Sequence, residues 1–360
     1  MSIVHADLEI IDRALGGKTA AFEGATILLT GCAGFLGHHF VHYFAERAER
    51  FGIKRIIGLD TFMFDKPVWL ETLATRHPDL ISLQRFDIAR DSLAAVAGAE
   101  NATFVIHMAS VASPTFYRLY PLETIDSNIW GLRHLLDFYQ DSKALKGLLF
   151  FSSSEIYGDP DPAFIPTPET YRGNVSCVGP RACYDESKRF GETLCQIFAE
   201  TKGMPITVAR PFNNYGPGMR LGDKRLPADL ASCVLEKRDI VLFSNGAPTR
   251  TFCYIADAVA GYLLCLLHGR FDAFNIGMEK PELTIRNLAD LFQAAGGKLV
   301  GYRGQVRFET SEDPAYLAHN PQRRCPDIAK ARSVLGYDPQ VSVEEGVERY
   351  LQFLIETGAA

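Results

Sequence analysis

Residues 26–37 read TILLTGCAGFLG, and this stretch decides the fold of the chain. Its first five residues have the length and the branched, apolar composition of a buried parallel strand. The glycines that follow, Gly31, Gly34 and Gly37, have the spacing of a turn that leads from a strand into a helix around a pyrophosphate. The first permits the tight turn, the second lets the backbone approach the anion, and the third lets the helix pack closely on the strand. The stretch therefore predicts a dinucleotide site.

The next predicted strand ends in a carboxylate. Residues 55–60 read RIIGLD, which puts Asp60 where a dinucleotide-binding fold holds the ribose diol of its cofactor. Thr61, Phe62 and Met63 come next, so no arginine stands there to meet a 2′-phosphate. The sequence therefore favours NAD over NADP, and a simple strand-end turn is the alternative explanation of Asp60.

Apolar, strand-like runs alternate with segments of helical periodicity over the first 210 residues. The runs are centred on Ile27, Ile56, Ile81, Phe104, Leu148 and Ile206. This alternation is typical of an α/β protein with a Rossmann-type, doubly wound parallel sheet. Past residue 210 the chain becomes rich in proline, glycine and charged residues, which indicates a smaller C-terminal substrate-binding lobe. We therefore expect an N-terminal extension (1–24), an NAD-binding domain (25–210, with a returning segment at about 248–278) and a mainly substrate-binding lobe (211–360).

Composition argues against several classes of function. The chain has 360 residues, of which 47% are hydrophobic, and can fill one large core and a smaller lobe. The net charge of −6 offers no basic face to nucleic acid, and no apolar run approaches the roughly 20 residues that cross a bilayer. No signal peptide is visible in residues 1–24, which predicts a cytoplasmic protein. The eight cysteines include no CxxC pair and the nine histidines no HExxH spacing, so we expect reduced thiols and no metal site.

The segment YDESK (184–188) indicates the chemistry. It places Tyr184 and Lys188 four residues apart on one face of a predicted helix. A tyrosine with a pKa of about 10 is a poor base at neutral pH, but a lysine cation one turn away favours the phenolate. Such a pair can take the proton from a carbinol that loses hydride. The alternative is an aromatic residue on the packed face of the helix beside a solvated lysine.

Two strand ends deliver further polar residues to the same crevice. HMASVASP (107–114) follows the fourth predicted strand, and FFSSSEIYGDP (150–160) follows the fifth. Because the carboxyl ends of parallel strands meet at one edge of a sheet, both segments should line that crevice. Ser153 can donate to a sugar oxygen and relay its proton to Tyr184, and Glu155 adds a carboxylate whose pKa we expect to rise in a confined site. Taken alone, the serines would merely end a strand and Glu155 would cap a turn.

These motifs together resemble the extended short-chain dehydrogenase/reductase family of NAD-dependent nucleotide-sugar epimerases and dehydratases, and within it the branch that decarboxylates UDP-glucuronate. The likeness runs from about residue 26 to the C-terminus. Its most diagnostic stretch is YRGNVSCVGPRACYDESK (171–188). Similar segments are also RPFNNYGP (210–217), TRTFCY (249–254) and PQRRCPDI (321–328).

The resemblance implies a role for individual residues. Catalytic roles fall to Ser153, Glu155, Tyr184, Lys188 and Arg250. The NAD site comprises Gly31, Gly34, Phe35, Leu36, Gly37, Asp60, Asp87, Tyr184 and Lys188. Contacts to the nucleotide sugar are expected from Tyr117, Ser154, Asn213, Arg225, Arg250 and Arg323, with Arg324 as a further candidate for uracil or pyrophosphate. For the arginines, a solvated surface salt bridge is the alternative.

The same resemblance implies a redox-neutral conversion of UDP-glucuronate to UDP-xylose through a 4-keto intermediate. A nucleotide-sugar 4,6-dehydratase with Glu155 as the base at C5 is the first alternative, although Ser154 precedes Glu155 where the deoxythymidine-linked dehydratases have an aspartate. A 4-epimerase is the third possibility; it needs no acid at position 155, so Glu155 would be superfluous in such an enzyme. A non-catalytic NAD-binding scaffold would not require an intact set of Ser153, Tyr184 and Lys188.

The chain departs from the pattern of that branch in the substrate region. Ser153 replaces the usual threonine and keeps its hydroxyl, whereas Arg172 replaces a tryptophan and Cys177-Val178 replaces Pro-Ile. Arg172 lies near a substrate loop and could change which sugar is accepted.

Two further expectations concern the ends and the assembly of the chain. Residues 1–24 lie outside the resemblance, and the spacing of apolar residues from Asp7 to Leu15 predicts one short amphipathic helix there. The family implies a homodimer through the Tyr184 helix and a helix at about 122–139. On the latter, Leu132, Leu135, Leu136 and Tyr139 have helical spacing that plain core packing would also explain.

Overall fold

The computed structural model describes residues 2–310 and 321–358. The strands are β1 (Thr26–Thr30), β2 (Arg55–Asp60), β3 (Ile81–Arg85), β4 (Phe104–His107), β5 (Gly147–Phe151), β6 (Ile206–Pro211), β7 (Asn214–Tyr215), β8 (Ile240–Leu242), β9 (Thr249–Arg250), β10 (Cys253–Tyr254), β11 (Ala273–Ile276), β12 (Leu283–Thr284), β13 (Val306–Phe308) and β14 (Arg323–Arg324). The α-helices are α1 (Ile3–Leu15), α2 (Phe35–Glu46), α3 (Ala48–Phe51), α4 (Val68–Arg76), α5 (Pro114–Leu119), α6 (Pro121–Ile125), α7 (Leu132–Tyr139), α8 (Ala182–Lys202), α9 (Leu226–Leu235), α10 (Ile255–Leu266), α11 (Ile285–Val300), α12 (Ala329–Leu335) and α13 (Val343–Thr357).

Seven strands form a parallel sheet at the centre of the molecule. Their order is β11-β6-β5-β4-β1-β2-β3, and β1 pairs in register with both β2 and β4. The six predicted strand runs are therefore confirmed, and the seventh strand, β11, comes from residues of the predicted returning segment. Because the strand order reverses beside β1, a crevice opens at the carboxyl ends of β1 and β4.

The glycine turn between β1 and α2 has the geometry that its sequence predicts. Gly31 has φ +74°, and a Cβ there would lie 2.8 Å from the backbone nitrogen of Ala109 on the neighbouring strand end. A Cβ on Gly37 would lie 2.2 Å from the carbonyl oxygen of Cys32, because the helix packs directly on the turn. These contacts require glycine at both positions.

The smaller lobe contains short paired strands, of which β7, β8, β9 and β14 contribute residues to the crevice. β9 lies between β12 and β14, β8 pairs with β13, and β7 pairs with β10. In the parallel pair of β9 and β14, Arg250 stands opposite Arg324. This register brings two arginines from distant parts of the sequence to one side of the cleft.

The predicted N-terminal helix is present as α1, which begins at Ile3 with a cap from Ser2 and ends before Gly16. Its larger apolar residues Ile3, Leu8, Ile10, Ile11 and Leu15 are buried, and so is Asp7, at 1% exposure. The Tyr254 hydroxyl donates to Oδ2 of Asp7 at 2.8 Å, and Arg349 Nη1 lies 3.2 Å from Oδ1. The extension is therefore fixed to the start of α10 and to α13. None of the helices in the described part of the chain combines the length and the apolar character needed to span a bilayer.

Candidate active site

A cleft of about 1610 Å³ lies at the carboxyl ends of the central strands, between the sheet and the smaller lobe. Residues from the ends of β1, β2, β4 and β5 and from the start of α8 line one side, as the sequence predicts. The predicted site residues that line it are Gly31, Gly34, Phe35, Leu36, Gly37, Asp60, Asp87, Tyr117, Ser153, Ser154, Glu155, Tyr184, Lys188, Asn213, Arg225, Arg250 and Arg324.

The turn before α2 fits the diphosphate of a dinucleotide. The helix begins after Gly34, which supplies no side-chain cap, so its first backbone N–H groups have no capping side chain. A Cβ on Gly34 would meet only the oxygen of Gly31, at 3.4 Å, and would otherwise point into open space of the cleft. A helix N-terminus with free N–H groups and a glycine cradle is a site for an anion, and the pyrophosphate of NAD has the matching charge.

Asp60 lies where the cofactor ribose is expected. Its Oδ2 accepts from the backbone N–H of Ala33 at 2.9 Å, and its Oδ1 accepts from that of Phe62 at 2.8 Å. Burial raises the pKa of this carboxyl, and the two backbone hydrogen bonds oppose that effect. A carboxylate offers about four lone-pair positions, so Asp60 can still accept from a ribose diol. Asp87 lines the cleft beyond β3 and accepts from the backbone N–H of Ala89 at 3.0 Å.

Helix α8 carries Tyr184 and Lys188 on its buried face, with 6% and 3% of their surface exposed. The ammonium of Lys188 donates to the carbonyl oxygen of Phe151 at 2.8 Å and lies 5.7 Å from the centre of the Tyr184 ring. Ser153, just after β5, lies close enough to the Tyr184 hydroxyl to lower its pKa. The structure therefore brings the three predicted proton-transfer residues together.

The expected effect of Lys188 on Tyr184 is not found. Burial raises the pKa of Tyr184 to about 12, and the hydrogen bond from Ser153 only partly offsets it. Burial also lowers the pKa of Lys188 to about 7, so this amine is itself close to losing its charge at neutral pH. The reason is desolvation, which disfavours the charged forms of both groups and which spacing along a helix does not reveal.

The expectation that the pKa of Glu155 rises is wrong. Burial alone would raise it, but the charges of Arg181 and Arg324 outweigh burial and lower it to about 2. Arg324 binds both carboxylate oxygens, each at 2.6 Å, and Nη2 of Arg181 donates to Oε2. Glu155 is therefore a fixed anion rather than an acid. Arg324, which the sequence suggested for uracil or pyrophosphate, has this carboxylate as its partner.

Arg181 and Asp185 are functional candidates that the sequence reasoning missed. Arg181 precedes Tyr184 by three residues, and its Nε lies 3.6 Å from Oδ2 of Asp185, four residues further along α8. Burial, followed by the charge of Glu155, raises the pKa of Asp185 to about 7. The signal was present in the sequence, because an arginine and an aspartate at this spacing form an ion pair on one helix face.

Three predicted sugar or nucleotide contacts lie around this centre. Tyr117 is buried, stacks on Tyr184 with ring centres 5.1 Å apart, and has no hydrogen-bond partner for its hydroxyl among the described residues. Asn213 donates to the carbonyl oxygen of Thr251 at 2.9 Å. Arg225 extends over the ring of Phe35, 5.2 Å from its centre, and thus borders the glycine turn.

The two remaining arginines differ in position. Arg250 is 6% exposed, lines the cleft, and donates to the carbonyl oxygens of Pro321 at 2.5 Å and Thr249 at 2.7 Å. Arg323 does not line the cleft: its side chain is 44% exposed and its guanidinium pairs with Glu282 at 2.8 Å. The predicted substrate contact of Arg323 is not supported by this placement, because successive side chains of β14 point in opposite directions.

Comparisons with known proteins agree with this geometry. Residues 27–277 match the model of the family described as NAD dependent epimerase/dehydratase. The chain is 33% identical over 89% of its length to UDP-glucuronic acid decarboxylase 3 of Arabidopsis thaliana, covering 86% of that protein. It is 32% identical over 91% of its length to UDP-glucuronic acid decarboxylase 1 of Xenopus tropicalis, covering 71% of it.

A solved structure shares both the fold and part of the sequence. The UDP-glucuronic acid 4-epimerase of Bacillus cereus, crystallised with UDP-glucuronic acid and NAD, superposes with a TM-score of 0.73 at 25% identity. The match covers 92% of this chain and 99% of that one. With the Rossmann-type sheet, the glycine turn and the paired Tyr184 and Lys188 in place, the chain belongs to the NAD-dependent epimerase/dehydratase family.

Proposed function

We propose that this protein decarboxylates UDP-glucuronate to UDP-xylose through a 4-keto intermediate. The observation that carries the proposal is the placement of Glu155, between Arg181 and Arg324, in the same cleft as Ser153 and Tyr184. Ser153 and Tyr184 provide for proton transfer at the C4 hydroxyl of the sugar. The arginines around Glu155 provide for the carboxylate that a uronate carries beside that carbon. The decarboxylases named above, at 32–33% identity, support the same reaction.

In the first step Tyr184 takes the proton of the sugar 4-hydroxyl. Ser153 donates to the same oxygen and holds it beside the tyrosine. Bound NAD would supply the acceptor and later the donor of the C4 hydride, and its positively charged nicotinamide ring would favour the Tyr184 phenolate. Lys188 can add a hydrogen bond to the cofactor ribose, because Phe151 uses only one of its N–H donors.

The 4-keto sugar then carries its carboxylate beta to a ketone. The C5–C6 bond breaks, CO₂ leaves, and the bonding electrons delocalise from C5 onto the C4 oxygen as an enolate. Tyr184 and Ser153 stabilise that oxygen by hydrogen bonds. A proton from water then reaches C5. Glu155 does not supply it, because the two arginines keep this carboxyl ionised. Tyr184 finally returns its proton to the C4 oxygen when C4 is reduced.

The ionised state of Glu155 also weighs against the dehydratase alternative. A 4,6-dehydratase would use Glu155 as the base at C5, and a base should have a pKa near the working pH. A carboxyl with a pKa of about 2 that is held by two guanidinium groups is a weak base. A 4-epimerase would make no evident use of this carboxylate.

The test is incubation of the purified protein with UDP-glucuronate and NAD, followed by mass spectrometry of the nucleotide sugar and assay of CO₂. Loss of one CO₂ from the sugar, with the gas detected, is the expected result. An unchanged mass with a new isomer would instead identify an epimerase. If UDP-glucuronate does not react while another UDP-, GDP- or dTDP-hexose loses water, the proposal is wrong and the dehydratase reading replaces it.

We further propose a homodimer in which α6 and α8 face a second copy. Leu132, Leu135, Leu136 and Tyr139 are fully buried within the chain and therefore belong to its own core. Large apolar residues that remain exposed on this side are Leu122, Trp130, Phe190 and Ile197, each at least 47% exposed. Large apolar residues exposed on and beside two helices that contact each other support an interface here. Light scattering should give twice the monomer mass for the unmodified protein and the mass of one monomer for the Ile197→Glu variant. The predicted cytoplasmic location is tested separately, by cell fractionation.

A further inference from the structure

Arg181 borders the place where a sugar would present its C4 to Tyr184. It stands at the start of α8, and its guanidinium carbon lies 5.9 Å from the centre of the Tyr117 ring. Tyr117 stacks on Tyr184 almost in parallel, with 14° between the rings. The Arg181 side chain is 13% exposed and faces the cleft, where it pairs with Glu155 and approaches Asp185.

Glu155 does not depend on Arg181 for a partner. Arg324 already binds Oε1 through Nη1 and Oε2 through Nη2, each at 2.6 Å. This two-pronged contact is the strong geometry for an arginine and a carboxylate. If Arg181 turned away, Glu155 would keep its full ion pair with Arg324. Arg181 is therefore the arginine of this cluster that can be shared with another carboxylate.

This reasoning rests on the proposed function. A hexuronate carries its carboxylate on C6, two carbon–carbon bonds from C4, so a sugar positioned at Tyr184 brings an anion close to the surroundings of that residue. We propose that Arg181 selects uronates by binding the C6 carboxylate of the substrate, and that it returns to Glu155 as this carboxylate leaves.

The reaction requires this contact to be temporary. When the C5–C6 bond breaks, its electrons move through C5 to the C4 oxygen and the carboxylate becomes neutral CO₂. A guanidinium that held the carboxylate tightly throughout would stabilise the reactant more than the transition state and slow the step. Glu155 competes for Arg181 and weakens its hold on the substrate. The pair thus combines recognition of a uronate with its release.

The test compares binding of two ligands that differ at C6, UDP-glucuronate and UDP-glucose. Calorimetry is done with NAD present in a Tyr184→Phe background, so that the ligands are not consumed. Arg181→Met should weaken the binding of UDP-glucuronate about 10- to 100-fold, the range expected for a lost hydrogen-bonded charge. It should weaken the binding of UDP-glucose less than about threefold. Glu155→Gln should strengthen the binding of UDP-glucuronate and leave the binding of UDP-glucose unchanged. Arg225→Met is the matched control, which should weaken both ligands alike.

The inference is overturned if Arg181→Met weakens the binding of both ligands equally. It is also overturned if the Glu155→Gln variant binds UDP-glucuronate no more tightly than before. If circular dichroism shows that Arg181→Met is unfolded, Arg181→Lys replaces it, and its affinities for UDP-glucuronate and UDP-glucose are compared in the same way. It keeps the charge but loses the planar fork, so we expect a selective loss of about 3- to 10-fold for UDP-glucuronate. The CO₂ assay of the unmodified enzyme is run in parallel. CO₂ release together with unselective binding defeats only the role of Arg181, whereas no CO₂ release defeats the proposed function.

Discussion

The guanidinium of Arg324 holds both carboxylate oxygens of Glu155 at 2.6 Å, and so ties the short strand β14 to the helical turn that follows the central strand β5. The two residues are 169 positions apart in the sequence. Their ion pair crosses the cleft between the parallel sheet and the smaller lobe. Its strength therefore affects the stability of the site as well as the charge of Glu155.

Arg324→Gln should make the protein more sensitive to acid. The pKa of Glu155 in the folded protein, about 2, lies below its ordinary value of 4.5, so its stabilising contribution is complete above about pH 4.5 and is lost as pH falls toward 2. Without Arg324 that pKa rises and the loss begins at higher pH. We expect the variant to lose about 2 kcal/mol at neutral pH and to unfold earlier on acidification, as measured by thermal melts across pH.

Arg323→Gln is the control for that experiment. Arg323 is the neighbouring residue on β14, and its ion pair with Glu282 is largely exposed, so its removal should cost little. Equal effects of the two substitutions would contradict the role given to the Glu155 pair.

Tyr184→Phe should lower the rate of CO₂ formation by about 10²- to 10⁴-fold, because the variant has no group to take the proton of the 4-hydroxyl. Glu155→Gln should differ in kind. It should permit oxidation at C4 and slow the loss of CO₂, so that the absorbance of reduced nicotinamide builds up during a single turnover. Wild-type turnover in Tyr184→Phe, or no oxidation in Glu155→Gln, would contradict this division of roles.

Lys188→Met should stabilise the fold while it removes activity. Burial lowers the pKa of Lys188 from 10.5 to about 7, so between these values the unfolded chain binds more protons than the folded one. The stability of the unmodified protein should therefore rise with pH over this range as the burial cost of the charge disappears. Thermal melts should show the largest advantage of Lys188→Met below pH 7 and a shrinking one toward pH 10. A constant difference across pH would show that Lys188 does not titrate in this range.

Local motifs predicted the parts of the site that depend on nearby residues. The turn from Gly31 to Gly37 and the pairing of Tyr184 with Lys188 are set by spacings within a few residues, so they could be recognised in the sequence. The pKa of Glu155 could not be, because its partner Arg324 approaches only when β14 pairs with β9. Arg323 was misassigned for a related reason, because only the pairing of β14 with β9 decides which of its two arginines faces the cleft.

Arg220 suggests how the cofactor is retained between its two hydride transfers. Its Nη1 donates to the carbonyl oxygen of Phe64 at 2.5 Å and its Nη2 to that of Ala33 at 3.4 Å, so it links the smaller lobe to the loops around Asp60. The ring of Phe64 packs on Phe116, 4.8 Å between centres. Arg220→Ala should raise the dissociation constant of NAD about 10-fold and allow reduced cofactor to escape during turnover. Equilibrium dialysis and the absorbance of the filtrate measure both effects, with the exposed residue Arg133 changed to alanine as the control. Unchanged retention of NAD would contradict the prediction.

Asp7→Asn tests whether the N-terminal helix makes folding sensitive to pH. Burial raises the pKa of Asp7 from 3.8 to about 7, and it outweighs the hydrogen bond from Tyr254 and the charge of Arg349, which both lower it. Between these pH values the folded state keeps a proton that the unfolded chain has lost. The stability that Asp7 contributes is therefore complete below about pH 4 and is lost as pH rises through 7. Asp7→Asn cannot ionise and still accepts from Tyr254, so its melting temperature should fall less than that of the unmodified protein between pH 4 and 7. Asp7→Ala lacks the acceptor and should be less stable than Asp7→Asn at every pH. Parallel pH profiles for the unmodified protein and Asp7→Asn would mean that the ion pair with Arg349 keeps Asp7 charged.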